Sequence, residues 1–385
     1  MYAPPCLALL ASLARLTVAV PQPEAIALRL DVTNSSLGGE TFPTQYGAMF
    51  EDINHSGDGG IYAELIQNRA FQANSLEEAT IAPWFGVGGA VLTLRDYNSL
   101  STALPFYVNV AANRANASGR VGLANPGWWG IDVRPQLYIG SFFVMGKYDG
   151  DFRVTLGSNP TSDAWATTTV QAKSSRNSWT KVHYTLQPNV TAPNSNNTLS
   201  ITFDSASAAD GSLNFELLSL FPPTYKDRKN GLRVDLMEAL GGLSGSYLRF
   251  PGGNNLEGNG PKNGSTRWIW NQTIGPLQDR PGRLGTWGYY NTDGLGLHEF
   301  FDWCEDLDLE PVYAIFSGYY LGGEIVLQDQ LQPYIDEALN SIEYITGNTN
   351  TYYGAMRAKN GHPKPWKLNY IEIGNEDNAF GIPGA

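Results

Sequence analysis

Residues 26–33, IALRLDVT, alternate apolar and polar positions, a period of two that gives a strand one core-facing side, and Gly38-Gly39 ends the element. A second unit covers residues 46–79. Its first part, YGAMFEDI, reads as a short apolar strand ending in acids. Its second, IYAELIQNRAF, spaces Ile61, Leu65 and Ile66 as a helix does, so the pattern predicts a first βα unit. From about residue 80 the texture changes to Ser, Thr, Asn and Gly with short runs of period two. YIGSFFVMGKY and DFRVTLGS flank Asp149-Gly150, which predicts a hairpin there. TTTVQAK, WTKVHYTL, TLSITFD and LNFELLSLF are further strands between turn residues, so residues 80–222 are expected to form an all-β sandwich module closed by Pro222-Pro223.

After Pro223 the βα rhythm resumes through residue 385. Leu232, Leu236, Met237, Leu240 and Leu243 keep helical spacing up to Gly241-Gly242, and Tyr247 to Phe250 reads as a strand stopped by Pro251. A helix with Leu297, Phe300, Phe301 and Cys304 precedes a strand from Val312 to Phe316. A helix with Tyr334, Ile335, Ala338, Leu339 and Ile342, ended by Gly347, precedes a last strand from Leu368 to Ile373. Strands alternating with helices predict an α/β fold with a parallel sheet, either open and doubly wound or a (β/α)8 barrel. The barrel is favoured by where polar residues fall: Glu51, Arg249, Asn254, Asn375 and Glu376 each lie at or just past the C-terminal end of a strand.

Composition narrows the function. The 385 residues carry 25 Lys and Arg against 37 Asp and Glu, a net charge of −12 that argues against a nucleic-acid partner. A hydrophobic fraction of 42% with 12% aromatics excludes a disordered chain, and aromatics at that level suit hydroxyl-rich ligands and ordinary cores alike. Residues 1–19 read as a signal peptide, with the apolar run CLALLASLA and small residues near Ala19; no later run reaches the length of a membrane helix, so no membrane partner is expected. Export agrees with sequons at Asn34, Asn54, Asn116, Asn189, Asn196, Asn263 and Asn271. Loss of the signal would leave Cys304 without a disulfide partner. The four His are scattered and no Gly-rich phosphate loop is present, so neither a metal nor a cofactor is expected.

Gly374-Asn375-Glu376 follows the strand YIEI and projects a carboxylate beside a carboxamide. Hydrolysis of a glycosidic bond needs one carboxylic acid to protonate the leaving oxygen and a second carboxylate as nucleophile or base, while an amide can hold a sugar hydroxyl. A helix cap is the alternative use of Asn375. Glu51 could equally be a solvated loop acid and Arg249 a structural ion pair. Glu372 is expected to be structural, Asp377 to assist a helix start, and His298 to be a packing or surface residue. Trp268, Trp270 and Trp287 could line a sugar cleft or fill the core.

Taken together, GAMFEDINHSGDGGIYAELIQNRAFQ, YLRFPGGN and YIEIGNED, with WNQTIGPLQDRPGRLGTWGYYNTDGLGLHEF, resemble the glycoside hydrolase family 51 α-L-arabinofuranosidases of the fungal secreted type over most of residues 26–378. The resemblance implies a (β/α)8 barrel, a β-module inserted after its first strand, and removal of terminal arabinofuranosyl groups from arabinan or arabinoxylan with retention. It implies that Glu376 is the general acid/base, that Asn375 holds the 2-hydroxyl, that Glu51 and Asn254 contact the sugar, and that Arg249 steadies the carboxylates. The family's nucleophile, a glutamate at the end of the seventh strand, has no counterpart in the nine residues after Glu376. The expectation is therefore a truncated chain with barrel strands one to four and no activity of its own. The alternatives are a non-catalytic carbohydrate-binding protein and a related retaining hydrolase acting on xylosides or glucans.

Overall fold

The computed structural model describes residues 44–73, 78–113, 119–159, 161, 163–260 and 266–377. The chain divides into a unit of residues Met1–Phe42 and a unit of residues Pro43–Ala385. The signal peptide, the strand at 26–33, the sequons at Asn34, Asn116 and Asn263, and the chain after Asp377 lie outside the described residues.

The second unit is an α/β structure with a sheet-rich part. Strand β1 (Ala48–Met49) comes first. Ten strands follow: β2 (Phe85–Val87), β3 (Ala90–Arg95), β4 (Tyr107–Ala112), β5 (Arg120–Asn125), β6 (Tyr138–Met145), β7 (Tyr148–Ser158), β8 (Ala164–Ser174), β9 (Thr180–Leu186), β10 (Asn197–Asp204) and β11 (Ser212–Phe221). They form two five-stranded antiparallel sheets, ordered β2-β5-β10-β7-β8 and β3-β4-β11-β6-β9. Alternation makes this arrangement. In β10 every second residue from Asn197 to Phe203 is buried, and β9 buries Val182, Tyr184 and Leu186. The buried rings of Phe142, Phe152, Phe203 and Phe215, drawn from both sheets, meet at centroid distances of 5.1–6.4 Å.

The βα portion continues with α1 (Val234–Gly242), β12 (Tyr247–Phe250) and the four-residue α2 (Asn254–Glu257). A small ladder of β13 (Arg283–Leu284) and β14 (Tyr290–Asn291) precedes α3 (Leu297–Leu307) and β15 (Glu310–Ile315). Another, β16 (Tyr319–Tyr320) with β17 (Glu324–Ile325), precedes α4 (Gln332–Thr346), α5 (Tyr352–Lys359) and β18 (Tyr370–Ile373). Strands β1, β12, β15 and β18 pair in chain order, all parallel. Helix α3 turns Phe300 and Phe301 onto this sheet, where Phe250 stacks on Phe300 at 5.0 Å. Gly347 terminates α4, its N–H donating to the Glu343 carbonyl at 2.7 Å.

Two local expectations are corrected. IYAELIQNRAF is not a helix: Tyr62 bridges Leu232, the Leu65 N–H donates to the Leu220 carbonyl, and the Arg69 carbonyl accepts from Leu218. The segment runs extended along the end of β11, buried on several sides at Ile61, Tyr62, Ala63 and Ile66, and that burial imitates a helical stripe. Nor does a hairpin turn at Asp149-Gly150. These residues lie inside β7, opposite Lys173 and Ala172 of β8. The reversal falls at Gly146-Lys147, with Gly146 at φ 141°, and carries the chain from one antiparallel sheet to the other.

Candidate active site

The parallel register puts Arg249 beside Val312 and Val312 beside Tyr370, so Glu372, two residues further along β18, shares the face of Arg249. The two side chains meet in a fork: Arg249 Nε and one terminal nitrogen each donate to a Glu372 oxygen at 2.5 Å. The same nitrogen, Nη2, donates to Asn375 Oδ1 at 2.9 Å, and Asn375 Nδ2 donates to Glu257 Oε2 at 3.2 Å. The Asn375 carboxamide is therefore gripped at both ends.

Glu51 enters from the end of β1. It is buried, and its Oε1 accepts from the backbone N–H of Asn255 at 2.7 Å. Close backbone approach makes this possible. Gly252 has φ 111°, and a Cβ on it would lie 2.3 Å from Glu51 Cβ. A Cβ on Gly253 would stand 3.0 Å from Asn375 Oδ1, so the Pro-Gly-Gly turn after β12 is the floor on which both polar side chains rest. Asn254 opens α2, half-buried, while its neighbour Asn255 is fully buried and ties Arg283 and Thr286 to the same turn.

Glu376 follows with φ 53° and an exposed side chain, and its charge and that of Glu51 both act on Arg249. Asp377 Oδ1 accepts from the Asn375 N–H at 3.0 Å, which fixes the turn that presents Glu376. Glu257 is pushed up to about 7, first by burial and then by the charges of Asp377, Glu376 and Glu51, against the hydrogen bond from Asn375. Asp52, next to Glu51, is raised to about 6 by burial and by Asp58; its carbonyl accepts from Tyr289 Oη at 2.8 Å.

The structure thus gathers Glu51, Arg249, Asn375 and Glu376 at one end of the parallel sheet, with Asn254 alongside. Reading the sequence missed Glu257 as a partner of Asn375 and Asn255 as the donor to Glu51. The only signal for either was proximity to the Gly252-Gly253 turn. Trp268 and Trp270 are core residues, whereas Trp287 is exposed. His298 packs inside, its Nδ1 2.8 Å from Tyr344 Oη. His362 does come together with Asp302 and Glu305, but Arg228 already pairs with both acids at 3.4 and 2.9 Å, leaving a site poorly suited to a cation.

A family model described as "Alpha-L-arabinofuranosidase 1 domain" matches residues 239–382. A probable α-L-arabinofuranosidase A of Aspergillus niger is 48% identical over 349 residues, covering 89% of this chain and 54% of that protein. α-L-Arabinofuranosidase A of Aspergillus kawachii is 47% identical over 347 residues, with the same coverage of 89% and 54%. The solved structure of the arabinose-bound MgGH51 α-L-arabinofuranosidase superposes with a TM-score of 0.81 at 43% identity, covering 87% of this chain and 54% of that one. The chain spans about half the length of the curated relatives it matches, 54% in each of these. Over that span it is similar to the glycoside hydrolase family 51 α-L-arabinofuranosidases.

Proposed function

We propose that the chain carries the acid/base and sugar-holding part of a retaining, exo-acting α-L-arabinofuranosidase that removes terminal arabinofuranosyl groups from arabinan or arabinoxylan. In this reading β1, β12, β15 and β18 are the first four strands of a (β/α)8 barrel. Residues 80–222 are a β-sandwich module inserted after the first βα unit of residues 46–79, and residues 223–385 continue the barrel. A signal peptide at 1–19 and sequons such as Asn54 and Asn271, both exposed, support export to where plant cell-wall polysaccharide is met.

The observation that carries the proposal is the two-ended grip on Asn375, which fixes a carboxamide beside Glu376 at the mouth of the parallel sheet. Asn375 would hold the sugar's 2-hydroxyl, a bond that strengthens as positive charge develops at the anomeric carbon. Glu51 and Asn254 would engage other hydroxyls. Glu376, exposed at the turn, would give its proton to the leaving oxygen and later take one from water. Arg249 would keep negative charge on Glu372 from raising the cost of a second carboxylate nearby. Among the described residues the neighbouring carboxylates are engaged elsewhere: Glu372 is forked by Arg249, Glu257 is turned to Asn375, Asp377 accepts from the Asn375 N–H, Asp52 from Gly57 and Tyr289, and Glu51 is set to bind hydroxyls. We therefore expect the 385 residues alone to give no measurable turnover of an aryl α-L-arabinofuranoside.

Two measurements test the assignment. The chain should bind L-arabinose, and Asn375→Ala should weaken that binding about tenfold or more, as loss of a charge-supported hydrogen bond does; unchanged affinity would sink the sugar-holding role. In a protein that also contains the later strands of the relatives, Glu376→Gln should slow substrates with poor leaving groups far more than activated aryl arabinofuranosides. Equal slowing of both, with glycosylation rate-limiting, would reject Glu376 as the acid.

A further inference from the structure

A cleft of about 540 Å³ separates the loop Gly127-Trp128-Trp129-Gly130, between β5 and β6, from the start of α1. Its volume is in the range of small-molecule and oligosaccharide sites, and the groups used above for hydrolysis do not line it. Its walls carry Trp128, Trp129, Asp132, Arg134, Arg233 and Asp235.

The loop is built to hold its two indoles still. Gly127 and Gly130 have φ of 74° and 90°, and a Cβ on Gly130 would come 2.2 Å from the Ser195 carbonyl. The Gly127 N–H donates to Asn125 Oδ1 at 2.8 Å, and Ile131 donates to the Ser195 carbonyl at 2.8 Å. Trp129 Nε1 donates to the Gly59 carbonyl at 2.8 Å, yet the residue remains 65% exposed. Its one polar atom is satisfied, and its ring is pinned in orientation with much of its surface open to water.

Leu65, Pro222, Pro223 and Val234 make much of the remaining wall apolar, and its two arginines are each paired with an acid. Arg134 pairs with Asp132 at 2.7 Å and Arg233 with Asp235 at 2.5 Å. Paired guanidinium and carboxylate groups offer donors and acceptors side by side, a combination that suits hydroxyls better than an anionic ligand. The whole chain's charge of −12 disfavours a polyanion further. Contacts also lead from this loop to the candidate active site: Trp129 lies 5.7 Å from His55, His55 lies 3.9 Å from Tyr289, and Tyr289 bonds the Asp52 carbonyl beside Glu51.

We propose that this cleft is a second carbohydrate site, in which a sugar ring of a neutral glycan chain stacks on Trp129 while its hydroxyls bond the Arg134–Asp132 and Arg233–Asp235 pairs. It would hold the polymer while a side group reaches Glu51 and Asn375, and it rests on the carbohydrate reading given above. Titration calorimetry on the 385-residue chain with xylohexaose and with linear arabinohexaose tests it, the two probes distinguishing a xylan from an arabinan backbone. At least one should bind, and Trp129→Ala should weaken that binding about tenfold, the scale of a lost aromatic stack. Trp129→Phe should recover part of the loss, Asp235→Ala should also weaken binding, and Asn375→Ala should leave the affinity for xylohexaose, which has no arabinofuranosyl end, within about twofold. L-Arabinose serves as the separate probe of the catalytic end: its binding should respond to Asn375→Ala and not to Trp129→Ala. No hexasaccharide binding, or binding of either hexasaccharide that Trp129→Ala leaves unchanged, overturns the second site whatever arabinose does. Failure of arabinose to bind while Trp129-dependent hexasaccharide binding persists overturns the catalytic assignment and leaves the cleft standing.

Discussion

The paired antiparallel sheets and the four-stranded parallel sheet bury their apolar residues in different ways. Between the antiparallel sheets Phe142, Phe152, Phe203, Phe215, Leu199 and Ile201 are wholly shielded, and those side chains come from strands whose sheet partners all lie within residues 85–221. In the parallel sheet the inner strand residues Leu248, Phe250 and Tyr313 are equally buried, but its outer strands are not: Ile371 and Ile373 of β18 are 42% and 72% exposed and Met49 of β1 is 52% exposed. One region fills most of its core from its own strands, with Ile66 and Phe71 added from the preceding segment. The other leaves Met49, Ile371 and Ile373 exposed on its two outer strands, where further strands of the proposed barrel would fit.

The sharpest way to break this contrast is to empty the first core. Phe152→Ala should cost about 3–5 kcal/mol, because the ring is fully buried among other aromatics and the cavity cannot collapse. If that core is self-contained, the loss measured by urea denaturation should be the same in the isolated segment 81–222 as in the whole chain. Absence of a cooperative transition in the isolated segment would erase the distinction.

A smaller effect is expected on the other side. Gly252→Ala forces an L side chain into positive φ against Glu51, a strain of about 1–3 kcal/mol. It should depress arabinose binding while leaving the unfolding of segment 81–222 untouched. A variant that binds arabinose normally would show that Glu51 does not depend on this turn.

The smallest effect concerns pH. Glu257 sits at about 7 in the folded chain against an ordinary 4.5, so the native state keeps a proton that the unfolded chain has released between those values. Its contribution to stability is complete below about 4.5 and fades as pH rises through about 7. Asp302, raised to about 7 mainly by burial, acts in the same sense, while His298, lowered to about 4 by burial, acts in the opposite one. The difference in Tm between the native chain and Glu257→Gln therefore isolates the group. It should shift against the native chain from pH 5 to 7, and a constant difference would show that Glu257 is ionised throughout.

Much of this was legible in the sequence, for identifiable reasons. Helices α1, α3 and α4 and strands β12 and β15 declare themselves because each buries one face against one neighbour, which leaves a clean period. The segment at 61–71 misleads because several partners bury it at once, so its apolar spacing reports no single face. Polar residues at strand ends could be chosen from local pattern, but the Arg249–Glu372 fork joins residues 123 positions apart, and their common face depends on strand register. Glu257 was harder still, since a four-residue helix has too little pattern to reveal which way its acid points.

An amide has two N–H bonds and two lone pairs, and the grip on Asn375 uses one of each: a guanidinium takes a lone pair and an oxygen of the Glu257 carboxyl takes an N–H. Rotating the group by half a turn would set nitrogen against the cation and oxygen against the acid. Its polarity in space is thus decided before any ligand arrives. What remains is a single donor direction and a single acceptor direction, fixed at an angle to each other, which select a hydroxyl able to give one hydrogen bond and receive another over a group that can do only one of the two.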